Sequence, residues 1–551
     1  MLSEKAPQHH IKHNHLVVLG FFSAFIGVFL FANGFLLTRS ELTNITNTSS
    51  LQPSDFQQVI LILVDGLYTG LLPLTNESEK MPFFKNLIHQ QGFPRNHFLA
   101  HFIADPPTTT LQRLKALLTG SMPTFIDAGS NFGGTELQED NILKQWALAG
   151  KNICFVGDQV WTELVSDVFL ESFPLPAFNI KDLDTVDTAV KDYVLREVGS
   201  GKCDVLIGHM LGIDHCGHTF GRSHPEMDRK LLELDGFLKR LIAHLTPSSL
   251  LVVFGDHGMT ASGDHGGDSD AEVDAALFVY TPRGFPRVRD ASIDDGSPLP
   301  SIEQVDLVPT LASLTGVSIP FSNLGVVATT LLNSSHLLSA VNANFRQVVT
   351  YAKEYHDRFG TISTPEAMVS RLAHNSTTPC PAASIDECLL AMRSLRASFR
   401  THWTRMDVPR MALGLLFTLH ALLAFVAYDN NLPVPGPVWC VAATLAAASL
   451  VALTPLGSFL LALLPSYRLA AVWLSSKDLS PSRGTLLTGT LLVVLALTSC
   501  SNSFVVQEAR VLGFVLQTLL LAASLFAVSQ IKARAASCFA STRYVDANRR
   551  G

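Results

Sequence analysis

The chain has 551 residues, of which 47% are hydrophobic and only 16% are charged. This apolar excess is typical of membrane-spanning segments joined to a soluble domain, and the length allows several domains. The formal net charge is -7 at pH 7, and no basic stripe runs through the polar part of the chain. The composition therefore argues against nucleic acid as a partner and predicts contact with membrane lipid.

The first long apolar run covers residues 16–37, about the length that spans a bilayer. It is longer than a signal-peptide core and lacks a small-residue cleavage site, which predicts a retained transmembrane anchor. The preceding HHIKHNH can be a metal-binding histidine tract, but a polar cytosolic tail over residues 1–15 is the simpler interpretation. Residues after 38 then lie outside the cytosol. N-x-S/T triplets agree with that side at Asn44, Asn47, Asn76, Asn333 and Asn375.

Residues 38–405 have a mixed composition in which short apolar runs recur. Most of these runs are β-rich and continuous, which indicates strands buried on both faces, and helical patterns lie between them. The alternation predicts an α/β domain with a mostly parallel sheet flanked by helices. One helix is expected within 224–245, and residues 340–405 are expected to form helices of a lid or stalk. The strand runs are 59–64, 152–157, 203–210, 249–255 and 276–280.

The character of the chain changes at Met411. Residues 411–531 contain enough apolar sequence for about five further spans, which makes an α-helical transmembrane region. Residues 532–551 form a basic tail, and the preference for positive charge on the cytosolic side predicts an even number of crossings in total. Within the first of these spans, His420 is interpreted either as functional or as the partner of an interhelical hydrogen bond.

The eight cysteines do not form the pattern of a disulfide scaffold. Only Cys380 and Cys388 have the spacing of a local disulfide pair. The sequence predicts buried thiols at Cys154, Cys203 and Cys216, which lie in or near strands.

Polar side chains follow four of the predicted strand ends, where open α/β sheets place ligands. A lone aspartate there is usually a helix cap, and a lone D-H-G segment can be a simple turn. Together, however, three aspartates and three histidines are the ligands that two divalent ions need. The spacing gives no role to His209 or His215. The candidate residues are Asp65, Asp214, His218, Asp256, His257 and His265.

Three threonines follow two prolines in ADPPTTTLQRLKALLTGS, residues 104–121. Pro106 and Pro107 fix an extended entry, so a helix cannot begin before the threonines. Any of the three can cap that helix, and a nucleophile would explain another. The residues by themselves do not assign the two roles.

These motifs resemble the alkaline phosphatase superfamily and its phosphodiesterase-like branch. Within it, ADPPTTTLQRLKALLTGSMPTFIDAGSNF and GIDHCGHTFG resemble the GPI ethanolamine phosphate transferases, most of all those that modify the third mannose. The resemblance covers about residues 55–320. It implies an alkaline-phosphatase-like fold.

The resemblance also implies which residues hold two zinc ions. One ion would be bound by Asp65, Asp256, His257 and the nucleophile, and the other by Asp214, His218 and His265. Family spacing places the nucleophile ten residues before Gly120, at Thr110. Thr108 becomes the helix cap or a supporting residue, and it is the alternative nucleophile if the helix register slips. An asparagine that stabilises phosphoryl oxygens would be Asn131, although a loop asparagine is an equal reading.

The implied reaction passes phosphoethanolamine from phosphatidylethanolamine to a GPI mannose through a phosphothreonine. The implied location is the endoplasmic reticulum membrane, with the catalytic domain in the lumen. The resemblance leaves open whether a small accessory membrane subunit takes part. A membrane-anchored phosphodiesterase or pyrophosphatase would use nearly the same site, and a degenerate scaffold is the non-catalytic alternative.

Overall fold

The computed structural model describes residues 8–35, 41–47, 54, 56–74, 80–90, 95–122, 136–177, 179–288, 298–360, 385–403 and 407–429. The chain divides into two units. The larger unit is Thr38–Arg405, and the smaller one combines Met1–Leu37 with Met406–Gly551.

Among the described residues, eight strands of the larger unit form one sheet in the order β4-β3-β5-β1-β6-β7-β2-β8. All pairs in it are parallel except those of β7 with β6 and β2. The prediction of a mostly parallel α/β sheet is confirmed. The strands are β1 Gln58–Val64, β2 Arg95–Ile103, β3 Ile153–Asp158, β4 Phe169–Leu175, β5 Val205–Met210, β6 Ser249–Phe254, β7 Asp274–Phe285 and β8 Ser301–Glu303.

The five predicted strand runs fall on β1, β3, β5, β6 and β7. Every residue of β3, β5 and β6 is buried, which explains their continuous apolar sequences. Sequence patterns missed β2, β4 and β8. Histidines interrupt β2, β4 is largely exposed, and β8 has only three residues.

Helices cover both faces of the sheet. One face packs against α6 and α8, and the other packs against α3 and α10. The α-helices in the described part of the chain are α1 Gln8–Phe35, α2 Pro82–Ile88, α3 Thr110–Thr119, α4 Ile142–Leu148, α5 Val160–Leu164, α6 Thr185–Glu197, α7 Gly212–Phe220, α8 Pro225–Ala243, α9 Asp270–Val273, α10 Leu307–Thr315, α11 Ser334–Phe359, α12 Ile385–Trp403 and α13 Val408–Asp429.

The helix expected within 224–245 is confirmed as α8. It begins after His224, whose ring accepts a hydrogen bond from the Glu226 amide, and proline occupies its first position. Its apolar stripe packs into the core through Met227, Leu231, Leu234, Leu238 and Leu241.

Of the helices expected over residues 340–405, α11 and α12 are confirmed, while residues 361–384 lie outside the described residues and the lid or stalk role stays a prediction. These two helices pack together through an aromatic cluster in which Trp403 Nε1 donates to the Tyr355 hydroxyl at 3.0 Å. Phe399 lies 5.2 Å from the Tyr355 ring, centroid to centroid. Buried side chains of α12 share this cluster with Ala116 of α3 and with Val305, so α12 packs against the sheet domain.

The prediction of free thiols at Cys154 and Cys203 is wrong, because these residues form a disulfide. Cys154 lies in β3 and Cys203 lies two residues before the first residue of β5. These neighbouring parallel strands bring the two cysteines together across 49 positions of sequence. Sequence spacing carries no sign of that proximity. Cys216 is a buried free thiol as predicted, and Cys388 is disulfide-bonded, whereas Cys380 lies outside the described residues.

Replacing both Cys154 and Cys203 by alanine should lower the free energy of unfolding of the larger unit by about 2–4 kcal/mol, since the cross-link restricts the unfolded chain. The measurement is denaturant unfolding of the purified full chain, followed by tryptophan fluorescence. Cys216→Ala is the matched control and should shift the midpoint much less. Equal midpoints for the double variant and the wild type would contradict a stabilising disulfide.

In the smaller unit, α1 and α13 pack closely at glycines. A Cβ on Gly27 would lie 2.6 Å from Thr418 Oγ1, and one on Gly414 would lie 2.6 Å from the Phe31 nitrogen. Ser23 Oγ and His420 Nδ1 are 2.9 Å apart, which is the interhelical hydrogen bond considered for His420. Among the described residues, no helix combines the length and apolar character needed to cross a bilayer. The predicted spans after 429 lie outside those residues.

Candidate two-metal active site

Three central strands carry the predicted ligands to one edge of the sheet. In the sheet, β1 lies between β5 and β6 and runs parallel to both. Asp65 directly follows β1, Asp214 lies in the first turn of α7 after β5, and Asp256 follows β6 by two residues. Because the carboxyl ends of parallel strands meet at one edge, these aspartates converge.

The first candidate metal group consists of Asp65, Asp256 and His257, all of them buried. His257 Nε2 lies 3.3 Å from Asp65 Oδ1 and also 3.3 Å from Asp256 Oδ2. The other ring nitrogen, Nδ1, donates to the Gly258 carbonyl at 2.9 Å, which orients the ring. Each residue thus turns one ligand atom toward a common point.

The second group consists of Asp214, His218 and His265. Asp214 and His218 are four residues apart on one face of α7, with 3.4 Å between Oδ2 and Nε2. His265 Nε2 lies 3.4 Å from Asp214 Oδ1 and 3.0 Å from His218 Nε2. The rings of His257 and His265 stack with centroids 3.7 Å apart, so the two groups are neighbours.

Within the part of the chain that the structure describes, several buried ligand atoms of these groups have no hydrogen-bond partner. They are Asp65 Oδ1, Asp214 Oδ1, Asp256 Oδ2 and His257 Nε2. An unsatisfied buried polar atom costs roughly 1–3 kcal/mol, more when charged, and native proteins avoid such atoms without a functional reason. Carboxylate oxygens and imidazole nitrogens in this arrangement fit divalent ions of the zinc type. The structure therefore contains two candidate metal sites.

Three converging carboxylates also make the site electrostatically suited to cations. Burial, reinforced by the charge of Asp65, raises the pKa of Asp256 to about 6, and burial raises the pKa of Asp214 well above its usual range. Burial opposes the charged form of Asp65 as well, but His209 and His257 hold the pKa of that carboxyl well below its ordinary value. Burial likewise opposes the charge of His257, yet Asp256 and Asp65 raise the pKa of its imidazole to about 10.

Metal binding should consequently release protons. Without an ion, the pKa of His257, about 10, keeps its ring protonated at pH 7, and an ion can bind only the deprotonated nitrogen. We expect about one proton or more to be released per chain at pH 7, and metal affinity to fall as the pH falls. Calorimetric titration of the metal-free full chain with zinc, in buffers of different ionisation enthalpy, measures this number. Zinc binding without proton release at pH 7 would contradict it.

Elements around α7 hold Asp214 in place. The Asp187 carboxylate of α6 accepts hydrogen bonds from the Leu211 and Gly212 amides at 2.8 and 3.0 Å, which fixes the start of α7. Asp187 is itself paired with buried Lys230 at 2.7 Å. A Cβ on Gly212 would lie 2.5 Å from the Leu183 carbonyl oxygen, a backbone atom that cannot move aside easily, so the site favours glycine. Sequence reasoning found none of these supports.

The structure separates the three threonines. Thr109 occupies the N-cap of α3, and Thr110 begins the helix with Oγ1 3.4 Å from Asp65 Oδ2. Thr108 is fully buried, where Oγ1 donates to the Gly267 carbonyl at 2.8 Å and accepts from the Gly266 amide at 2.9 Å.

Thr108 therefore supports the loop that carries His265. Its carbonyl also lies 2.8 Å from His265 Nδ1. The expectation that Thr108 caps the helix is wrong, because Thr109 has that position; the expectation of a supporting role agrees with these contacts. The nucleophilic role of Thr110 stays a prediction, as does that of Asn131, which lies outside the described residues.

The C-terminal end of α3 is fixed as firmly as its beginning. Gly120 ends the helix with φ of 71°, the left-handed conformation that favours glycine. A Cβ there would lie 2.1 Å from Asn323 Oδ1, and the Gly120 carbonyl accepts from the Leu324 amide at 2.8 Å. Both ends of the helix that presents Thr110 are thus anchored.

Ion pairs from α12 support the site from the other side. Arg400 pairs with Asp105 at 2.6 Å, directly before the prolines of the threonine loop. Arg396 and Arg400 both pair with Glu303, at 2.6 and 2.7 Å. Next to Glu303, the Gln304 amide donates to the Asp256 carbonyl at 2.6 Å. No sequence signal linked α12 to Asp105, since almost three hundred residues separate them.

His215, which the sequence left without a role, anchors a loop. Its two ring nitrogens lie 2.9 Å from the Asp182 carbonyl and 3.0 Å from the Ala177 carbonyl. It does not belong to either metal group.

Known proteins are similar to this chain over more than two thirds of its length. The family described as type I phosphodiesterase / nucleotide pyrophosphatase matches residues 141–283. The chain is 39% identical over 451 residues to "GPI ethanolamine phosphate transferase 3, catalytic subunit" of Homo sapiens, covering 71% of this chain and 40% of the relative. It is 35% identical over 443 residues to "GPI ethanolamine phosphate transferase 3" of Saccharomyces cerevisiae, covering 77% of this chain and 44% of the relative. The chain belongs to the GPI ethanolamine phosphate transferase family.

This member of the GPI ethanolamine phosphate transferase family spans less than half the length of those two relatives. Among solved structures, the C-terminal periplasmic domain of EcEptC from Escherichia coli in complex with Zn has a TM-score of 0.37 at 16% identity. That likeness covers 51% of this chain and 87% of the solved one.

Proposed function

We propose that this chain transfers phosphoethanolamine from phosphatidylethanolamine to a mannose of a GPI precursor, the third mannose by family resemblance. One observation carries the proposal. In this member of the family, Thr110 lies at the start of a helix and its hydroxyl faces Asp65 of a buried candidate metal group. The two candidate metal groups, each of three aspartates and histidines with their ligand atoms close together, support the proposal. This argues for an active enzyme rather than a degenerate scaffold.

In the proposed site, Asp65, Asp256, His257 and Thr110 would hold one zinc ion, and Asp214, His218 and His265 would hold the other. When bound, such ions lower the pKa of a coordinated hydroxyl and neutralise charge on phosphoryl oxygens. The Asp65 carboxylate accepts from Thr110 Oγ1 at 3.4 Å and orients it toward the substrate. The amides of the first turn of α3 face an anion placed before the helix.

The reaction has two displacements at phosphorus. Thr110 Oγ1 forms a bond to the donor phosphorus, the bond to the glycerol oxygen breaks, and diacylglycerol leaves with the proton. A mannose hydroxyl then attacks the same phosphorus, its proton is lost, and the Thr110 oxygen leaves and regains a proton. Asn131 would stabilise the phosphoryl oxygens in both steps.

The proposed membrane arrangement follows the sequence and serves a lipid donor and a lipid-linked acceptor. Residues 1–15 would be a cytosolic tail, 16–37 an anchor and 38–405 a luminal catalytic domain. Residues 411–531 would supply about five spans, and 532–551 a cytosolic basic tail. The proposed location is the endoplasmic reticulum membrane, where a small accessory membrane subunit is a further candidate partner.

A hydrolase is the second candidate, and the phosphodiesterase family match over residues 141–283 favours it. In that reaction, water rather than mannose would attack the phosphothreonine. The first step and the residues that perform it are the same. Only the acceptor distinguishes the two functions.

The test follows labelled phosphoethanolamine in membranes from cells that cannot modify the third mannose. These cells would express the full chain, with the variant Asp214→Asn, His218→Gln as the inactive control. The proposal expects label from phosphatidylethanolamine to enter the GPI glycolipid in wild-type membranes only. Label released solely as free phosphoethanolamine would establish the hydrolase, and equal labelling by the variant would contradict both functions.

A further inference from the structure

His209 is a buried histidine behind the first metal group with no role in the mechanism above. It lies in β5 and has no exposed surface. Its Nδ1 is 3.1 Å from the indole Nε1 of Trp161, itself 2% exposed. An indole nitrogen only donates, so Nδ1 must be the acceptor, and the neutral ring carries its proton on Nε2.

The second ring nitrogen, Nε2, lies within ion-pair distance of a candidate metal ligand. His209 Nε2 lies 3.3 Å from Asp65 Oδ2 and has no hydrogen-bond partner among the described residues. The same oxygen faces Thr110 Oγ1 at 3.4 Å. The other oxygen, Oδ1, faces His257 Nε2 at 3.3 Å. Oδ1 of Asp65 therefore faces another ligand of the first metal group, whereas Oδ2 faces the proposed nucleophile Thr110.

The ring of His209 has little freedom to leave this position. A Cβ on Gly157 of β3 would lie 2.8 Å from the His209 Cβ, so the neighbouring backbone packs directly against it. Phe155 stacks on Trp161 with centroids 5.5 Å apart, which holds the indole. His209 is not itself one of the three ligands that share the first group.

We propose that His209, oriented by Trp161, is a positioning residue that holds Asp65 with Oδ1 toward the first metal ion and Oδ2 toward Thr110. Outer partners of metal ligands typically change metal affinity or activity by 10–100-fold. The inference rests on the metal chemistry of the proposed function but not on the identity of its substrates. A core histidine with only a packing role would affect stability and leave metal affinity unchanged.

The test measures zinc affinity and stoichiometry of the purified full chain by competition with a chelator. His209→Leu removes the donor. It should lower the affinity for one of the two zinc ions by about 10–100-fold and leave the affinity for the other unchanged. His209→Gln restores a donor amide and should recover most of that loss. Trp161→Phe removes the group that fixes the tautomer and should give an intermediate loss.

His97→Leu is the matched control, because His97 is also buried in the sheet but lies outside both metal groups. It should lower the thermal unfolding midpoint without changing zinc affinity. Wild-type affinity for both ions in His209→Leu and Trp161→Phe would overturn the inference, and so would a glutamine variant no better than leucine. If His209→Leu does not fold, Trp161→Phe and His209→Gln decide.

Zinc binding separates this inference from the proposed function. A wild-type chain that binds two zinc ions but transfers no phosphoethanolamine would contradict the function, while a selective loss in the His209 variants would still support the positioning role. A wild-type chain that binds no zinc would overturn both.

Discussion

Thr110→Ala should reduce phosphoethanolamine transfer by about 10³-fold or more, because loss of a nucleophile removes the covalent route altogether. The variant should still bind two zinc ions, since six other side chains form the two candidate groups. Transfer from labelled phosphatidylethanolamine gives the rate, and labelled protein gives the intermediate. Wild-type chain should carry label on a peptide that contains Thr110, and the variant should carry none.

Neighbouring threonines provide the controls. Thr109→Ser keeps a hydroxyl at the N-cap and should leave activity close to wild type. Thr110→Ser keeps a primary nucleophile and should retain measurable transfer. Thr108→Ala removes the contacts to Gly266 and Gly267. It should lower the affinity of the second group for its metal ion, while the intermediate still forms on Thr110. A phosphorylated intermediate on Thr108 would contradict the assignment.

Removal of the metal ions should reduce the transfer rate about as much as Thr110→Ala does. Neutralising the developing phosphoryl charge is worth several kcal/mol, which corresponds to about 10³-fold in rate. Treatment with a chelator should therefore abolish transfer, and added zinc should restore it. Asp214→Asn should lower the stoichiometry from two ions to one, since this carboxylate faces both His218 and His265.

Asp264→Asn is the control for that experiment. Asp264 directly precedes His265 but is exposed, accepts a hydrogen bond from Ser262 Oγ at 2.8 Å and belongs to neither candidate metal group. The Asp264→Asn variant should bind two zinc ions and transfer phosphoethanolamine at the wild-type rate. Full activity in a chain shown to contain no metal would contradict the two-metal mechanism.

The sequence by itself located the central strands and the aspartates and histidines that follow them. A strand that is buried on both faces needs a continuous apolar sequence, so β1, β3, β5 and β6 can be predicted from the sequence. Parallel strands then bring Asp65, Asp214 and Asp256 to one edge, whatever the details of packing. The motifs also sufficed to identify the family by resemblance. The membrane spans and the role of Asn131 are still predictions from sequence.

Tertiary structure alone decided the contacts between residues far apart in the chain. The Cys154–Cys203 disulfide depends on β3 and β5 being neighbours, and the Arg400–Asp105 ion pair depends on where α12 packs. The roles of the three threonines depend on a helix that starts at Thr110, whereas the two prolines only prevent it from starting before Thr108. Local sequence sets propensity and pattern, whereas pairing across the sheet sets which side chains meet.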